Sequence, residues 1–367
     1  MRQVILLLMA LAALLAGQGS AQVRERAFED LPDDSPDYQV HILYVVPADG
    51  ADRELDLSGT LDTSVAAGQR WLSGQTGDRR LRLDTYQGLL DITFYRLNRS
   101  DAEIRAYGAL VRDQVEAELL AAGFLQPHKL YAVYYDGGSS FSCGGAAWPP
   151  ELIGSAAALY LRGEPPGAPA CESNPFAASE ETPGYWEFAM LHELVHNLGL
   201  VARCAPSHTL NGHVSDDPAD LMYAGPLPWQ PSILDAGRND YFEHGAPDCP
   251  DLAWSAFLEP APPEAVPPPG WPYAQLEVTG CDQEPALRSV EAATVAVLQL
   301  VNASGQPLHV HWLDYSGQRQ FYRALAPYEG FTQNTYLTHP WLVTDADGQC
   351  LAIYLPAANP GRAIVRQ

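Results

Sequence analysis

The segment Trp186–Leu200, WEFAMLHELVHNLGL, holds two histidines four residues apart, with a glutamate directly after the first. On a helix that spacing puts His192 and His196 one turn apart on the same face, where both imidazoles reach one ion. Glu193 then stands where it can take a proton from a water polarised by the ion and return it to a leaving amine. The chemistry is hydrolysis of a peptide bond with one catalytic Zn2+. The competing reading of the pentamer is a helix with two surface histidines. Against it, Phe188, Ala189, Leu191, Leu194, Val195 and Leu198 make the helix largely apolar. Histidines and a glutamate inside such a helix need a partner, and a metal supplies one.

A catalytic zinc site wants a third protein ligand and a fourth position left for water. Gly199 extends the motif to HExxHxxG, and DLMY at Asp220–Tyr223 follows shortly after it. Together these pieces resemble the metzincin clan of zinc peptidases. The resemblance implies that Gly199 ends the helix and turns the chain toward the third ligand, and that Met222 is the methionine of the turn beneath the metal. The clan's usual third-ligand position falls on Ala202, which cannot bind zinc. Downstream, CAPSHTLNGHVSDD offers His208, His213 and Asp216 instead. His213 is the choice, since GH…D before DLM puts a neutral imidazole close to the methionine turn. This departure leaves room for an inactive relative. Tyr223 is the candidate stabiliser of a tetrahedral oxyanion, with packing beside the turn as its alternative. CGGAAWPP, Cys143–Pro150, is the candidate lining of a substrate cleft, where an edge strand would hold an extended peptide.

Such a site has to be held by regular elements. Apolar, β-branched stretches predict strands over Asp37–Pro47, Asp91–Leu97, Lys129–Gly137 and Ser155–Gly163. Helices are expected over about Thr63–Leu72, over Asp101–Ala122, where apolar residues recur three and four apart, and over Tyr185–Leu198. Strands alternating with helices imply an α/β (α+β) catalytic domain with a mixed sheet, spanning residues 22–257. Roughly 55 residues rich in Pro, Gly and Asp follow the motif helix, and a loop region of that size needs a functional reason. LEPAPPEAVPPPGWP, residues 258–272, reads as an extended, semi-rigid linker.

Beyond it, short alternating runs separated by turn residues predict a second, all-β sandwich domain over residues 273–367. The stretch VHWLDYSGQRQFYRALAPYEGFTQNTYLTHPWLVTDADGQC, Val310–Cys350, resembles the β-domain of the von Hippel–Lindau tumour suppressor. That resemblance implies a pocket for a hydroxyproline-containing peptide, carried onto Trp312, Tyr322, Thr335, His339 and Trp341, with threonine replacing the family's serine. Without the resemblance, aromatics with one histidine and one hydroxyl suit a proline ring. Trp312 and Trp341 read equally well as core residues.

Residues 1–21 combine Arg2, an apolar run from Val4 to Ala16 and small residues up to Ala21. This is the pattern of a cleaved signal peptide, so the expected location is secreted, periplasmic or extracellular, without stable membrane insertion after cleavage. All six cysteines lie beyond it. Chain order and domain boundaries favour Cys143–Cys171, Cys204–Cys249 and Cys281–Cys350. A net charge of −24, with 45 acids against 21 basic residues and Lys129 as the lone lysine, makes nucleic acid a poor partner. The sequence thus describes a secreted zinc-dependent endopeptidase whose C-terminal domain binds peptide or protein substrate or matrix, with hydroxyproline-containing extracellular protein implied by the resemblance. The rival is a non-enzymatic extracellular binding or adhesion protein with a structural or degenerate metal site.

Overall fold

The computed structural model describes residues 25–147 and 154–366. The signal peptide expected over residues 1–21, and residues 148–150 of the candidate cleft lining, lie outside them.

Strand β1, Gln39–Val46, is buried along its whole length. Its side chains alternate between two cores, with Val40, Ile42, Tyr44 and Val46 in one and Leu43 and Val45 in the other. A strand covered on both faces reads as a continuous apolar run, and it requires helices on either side. The chain provides them as α1 (Thr60–Thr76), β2 (Ile92–Arg96), α2 (Val111–Ala122), β3 (Lys129–Tyr135), β4 (Gly144–Gly145), β5 (Ala156–Tyr160) and α3 (Tyr185–Asn197). The sheet order is β2-β1-β3-β5-β4, all parallel except β4, which runs antiparallel to β5 at the edge. Leu61 and Leu72 of α1 and Leu191 and Leu194 of α3 pack on one face, and Val111, Val115 and Leu119 of α2 on the other.

The helix expected over Asp101–Ala122 is interrupted. A short helix, Asp101–Arg105, is capped by Ser100 and Glu103, and the chain breaks at Gly108, with φ of 58°, before α2 starts. The amphipathic spacing is preserved across the break, which is why periodicity alone hides it. Lys129 is 1% exposed. Its Nζ lies 2.7 Å from Asp30, 2.5 Å from Asp33 and 2.6 Å from Asp84, pinning the N-terminal segment to the sheet.

Residues 258–272, expected as an extended, semi-rigid linker, are held against the first domain near both ends. Leu258–Glu259 pairs antiparallel with Arg80–Leu81, and Trp271 enters the first core while its indole N–H donates to the Pro127 carbonyl at 2.6 Å. Leu258 and Trp271 are large apolar groups that gain by burial, and they outweigh the proline content in deciding the path.

The second domain holds β6 (Ala274–Gln275), β7 (Val295–Asn302), β8 (Leu308–Leu313), β9 (Arg319–Leu325), β10 (Gly330–Tyr336), β11 (Trp341–Thr344), β12 (Cys350–Tyr354) and β13 (Gly361–Val365). They form two four-stranded sheets, β6-β13-β7-β10 and β9-β8-β11-β12, around a core that includes Leu298, Leu300, Val310, Phe331, Trp341 and Val343. The chain is thus a mixed α/β region followed by an all-β domain. The two are joined through α2. Ala117 and Leu120 cluster with Val301, and the Gln114 amide donates to the Gly330 carbonyl at 2.9 Å. Arg362 Nη2 lies 3.2 Å from Glu116 Oε1.

Disulfides join Cys143 to Cys171, Cys204 to Cys249 and Cys281 to Cys350. Among the described residues no helix is long and apolar enough to cross a membrane.

Candidate metal centre

Helix α3 begins where Glu187 accepts the Gly184 N–H at 2.7 Å, satisfying a donor that the first turn leaves free. It ends at Gly199, whose φ of 78° is open to glycine at no steric cost. The chain then loops out. Val201 sits at φ 53°, and His208 Nδ1–H donates to its carbonyl at 2.9 Å. The Cys204–Cys249 disulfide anchors the excursion. The return is made by a two-residue antiparallel ladder of His208–Thr209 with His213–Val214, and the Val214 N–H donates to the Met222 carbonyl at 3.0 Å. His213 is thereby carried back to α3.

The Nε2 atoms of His192, His196 and His213 converge, with separations of 3.2 Å for His192–His196, 3.2 Å for His192–His213 and 3.3 Å for His196–His213. The tautomers follow from the neighbours. A carbonyl can only accept, so His192 Nδ1–H donates to Leu221 O at 2.7 Å and His213 Nδ1–H to Leu210 O at 3.2 Å. In the neutral rings Nε2 of His192 and of His213 is then a lone pair, while His196 Nδ1 is buried without a hydrogen-bond partner. Burial, reinforced by His213, pushes the His192 pKa down to about 3. Burial also drives His196 well below its ordinary value and lowers His213. Converging lone pairs repel unless a cation lies among them. Zinc–nitrogen bonds of about 2.0–2.1 Å at a tetrahedral angle place ligand nitrogens about 3.3 Å apart. The donor set therefore fits zinc in chemistry and in spacing. Of the alternatives weighed for third ligand, His208 is turned to Val201, and Asp216 accepts from the Ser207 hydroxyl at 3.2 Å.

Met222 is fully buried. Asp220 accepts its N–H at 2.7 Å, together with the Tyr241 hydroxyl at 2.8 Å and the Ala236 N–H at 2.7 Å. Burial pushes the Asp220 carboxyl up to about 7 against those donors. Trp229, unmarked in the sequence, donates its indole N–H to the same Leu221 carbonyl that orients His192, at 3.1 Å, and sets its ring 5.7 Å from the His192 ring. Tyr223 lines the cleft, and its hydroxyl accepts the Leu227 N–H at 3.1 Å.

The cleft is an open cavity of about 700 Å³, a size suited to part of a peptide. Cys143, Gly144, Gly145, Ala146 and Ala147 line it, with Gly144 against Glu193, and the aromatic side chains of Tyr160, Tyr185 and Trp229 contribute to its walls. Gly144 is needed for closeness, because a Cβ there would lie 2.4 Å from Glu193 Oε1. Burial pushes the Glu193 carboxyl up to about 8, opposed by Arg112. A dication nearby would favour the carboxylate.

In the β-domain, the Trp312 and His339 rings are 5.4 Å apart, and Tyr322 meets Trp341 edge-on at 4.8 Å. Trp312 and Trp341 are cross-strand partners. The Trp341 indole N–H donates to Thr335 Oγ1 at 3.0 Å, and Trp312 donates to Ser289 Oγ at 2.6 Å. Trp341 is 2% exposed and belongs to the core, while Tyr322 is 48% exposed. The five residues form one connected set, with Tyr322 as its most open member. Asn302, in an NAS acceptor pattern, is buried, and its amide donates to Gln306 O at 2.7 Å and Ala326 O at 2.9 Å, so it has no room for a glycan.

Comparison with known proteins gives a family match for the second domain only. Residues 287–353 match the VHL beta domain. No curated protein matches the chain. Among solved structures, wild-type OgpA from Akkermansia muciniphila is 14% identical, with 91% of this chain and 96% of that chain covered and a TM-score of 0.33. Catalytically inactive OgpA from the same organism, crystallised with an O-glycopeptide (glycodrosocin) substrate, is 13% identical over 89% and 95%, with a TM-score of 0.30. Scores this low fix neither a fold nor an activity. What the family match does establish is that the chain carries a VHL-type β-domain.

Proposed function

We propose that this chain is a secreted zinc-dependent endopeptidase. The observation that carries the reading is the convergence of three neutral imidazole nitrogens, His192, His196 and His213, at 3.2–3.3 Å beside Glu193 in an open cleft. Zinc held there by the three histidines would keep a position open for water and lower its pKa, and would act as a Lewis acid toward the scissile carbonyl. Glu193 takes the proton from the attacking water and delivers it to the leaving nitrogen, so it works as general base and then general acid. Leu221 O and Leu210 O fix the ring orientation of His192 and His213. Edge strand β4 offers main-chain groups without side chains next to Glu193, suited to an extended substrate. Tyr223, on the cleft wall, is the proposed oxyanion stabiliser, and Met222 the base of the site.

The β-domain is proposed to bind protein, hydroxyproline-bearing by its family resemblance. Thr335 is buried and accepts from Trp341, and the exposed Tyr322, close to that set with His339, is where a ligand would first meet it. Calorimetric titration with a proline peptide and its hydroxylated form tests this, and equal signals would remove the specificity. The peptidase reading is tested by cleavage of a mixed peptide library. Wild type is expected to cut, and Glu193→Ala to bind zinc equally but not cut. A Glu193→Ala protein that cuts as wild type does would overturn the assignment.

A further inference from the structure

The cleft is not built by the first domain alone. Thr332, on strand β10 of the β-domain, lines the same cavity as His192, Glu193, His196 and His213. Ala109, Leu110, Arg112 and Asp113, just before α2 and at its start, line this cavity too. The position of Thr332 is fixed by bonds rather than by a tether. Two residues before it, Gly330 gives its carbonyl to Gln114 Nε2 at 2.9 Å and its N–H to Gln114 Oε1 at 3.4 Å. Backbone and helix approach so closely that a Cβ on Gly330 would lie 2.7 Å from Ala117 Cβ. The Arg362–Glu116 pair, with both side chains under 5% exposed at 4% and 2%, closes the same interface.

We infer that Thr332 is a specificity residue of the peptidase cleft, completing with Leu110 and Asp113 a subsite for a substrate side chain that donates a hydrogen bond. The inference rests on the peptidase reading above. Asp113 Oδ1 accepts from Arg112 at 2.8 Å; burial raises its carboxyl above the ordinary value, and the side chain remains 26% exposed, within reach of a ligand. Thr332 is exposed, and its hydroxyl can accept as well as donate. The Leu110 side chain, 53% exposed, covers the aliphatic part of an occupant. A lysine, arginine, glutamine or serine meets that chemistry, and an aliphatic side chain leaves both acceptors unmatched. Substrates too short to reach from Glu193 to β10 miss the contact altogether.

The test compares kcat/KM for a tripeptide reporter and for ten-residue peptides that scan Lys, Gln, Ser and Leu along their length, using the full chain loaded with zinc. Wild type is expected to favour the long peptides and a donor side chain at one position. Thr332→Trp should reduce the long-to-short ratio of kcat/KM about tenfold, and Thr332→Arg should invert the preference for Lys at that position. An unchanged ratio and an unchanged Lys preference in both variants overturn the role of Thr332 while leaving the peptidase intact. A wild-type protein that cuts neither class of peptide overturns the peptidase reading, and this subsite with it.

Discussion

Replacing Gly144 by alanine should disable the cleft without disturbing the fold. An ideal Cβ at this position lies 2.4 Å from Glu193 Oε1, 3.1 Å from its Cδ and 3.2 Å from its Cγ, where ordinary contact begins at 3.4 Å. The carboxylate must withdraw by about 1 Å, the difference between 3.4 and 2.4 Å. It is the free end of a flexible side chain, so it can move while the backbone stays. Gly144 does not occupy the left-handed region, so alanine adds no backbone strain. Misplacing a catalytic group by about 1 Å costs on the order of 100-fold, or about 2.7 kcal/mol of activation free energy. The assay is kcat/KM on a peptide cut by wild type, with zinc content and thermal unfolding measured on the same preparation. The expected result is a loss of about 100-fold with zinc and Tm unchanged. Activity within about threefold of wild type would show that Glu193 does not act from its position against β4, and loss of zinc together with activity would show that the perturbation reaches the histidines instead.

Two further outcomes follow from the charges. Burial lowers the pKa of all three histidines, that of His192 to about 3, so the lone pairs persist as pH falls through the ordinary value of 6.5. Protons therefore compete for the ligands only in more acid solution. Zinc should be retained through stepwise dialysis to about pH 5 and released below it; release centred near the ordinary histidine value, about 6.5, would contradict the buried site. Lys129→Met leaves Asp30, Asp33 and Asp84 around an uncharged side chain and should destabilise the protein by about 3–5 kcal/mol in urea unfolding. A change under about 1 kcal/mol would mean that the cluster is already neutralised by other means.

The layer architecture is legible because each layer has its own period. The run Gln39–Val46 is apolar on both faces, and only a sheet sandwiched by helices accommodates it. The two helical histidines are legible because four residues make a turn. His213 is reached only by combining the motif with the failure of Ala202, since no local period links residues 17 apart across a disulfide-anchored loop. Gly144 is marked only as part of the candidate cleft lining, and Trp229 and Thr332 carry no signal in the chain itself. Their importance comes from what a third dimension brings near them, namely Glu193, His192 and the far side of the cleft. The linker shows what composition leaves open. Proline content argues for an extended, semi-rigid spacer and does not say where it lies, and Leu258 and Trp271 hold it against the first domain.

The most direct test of the account is zinc stoichiometry by elemental analysis on the purified full chain, wild type beside His213→Ala, after exposure to excess zinc and dialysis. The account predicts one zinc per wild-type chain and a clear loss in the variant, because only His213 supplies the third nitrogen. A wild-type chain that retains no zinc, or a His213→Ala chain that retains it as tightly, would contradict the three-histidine centre.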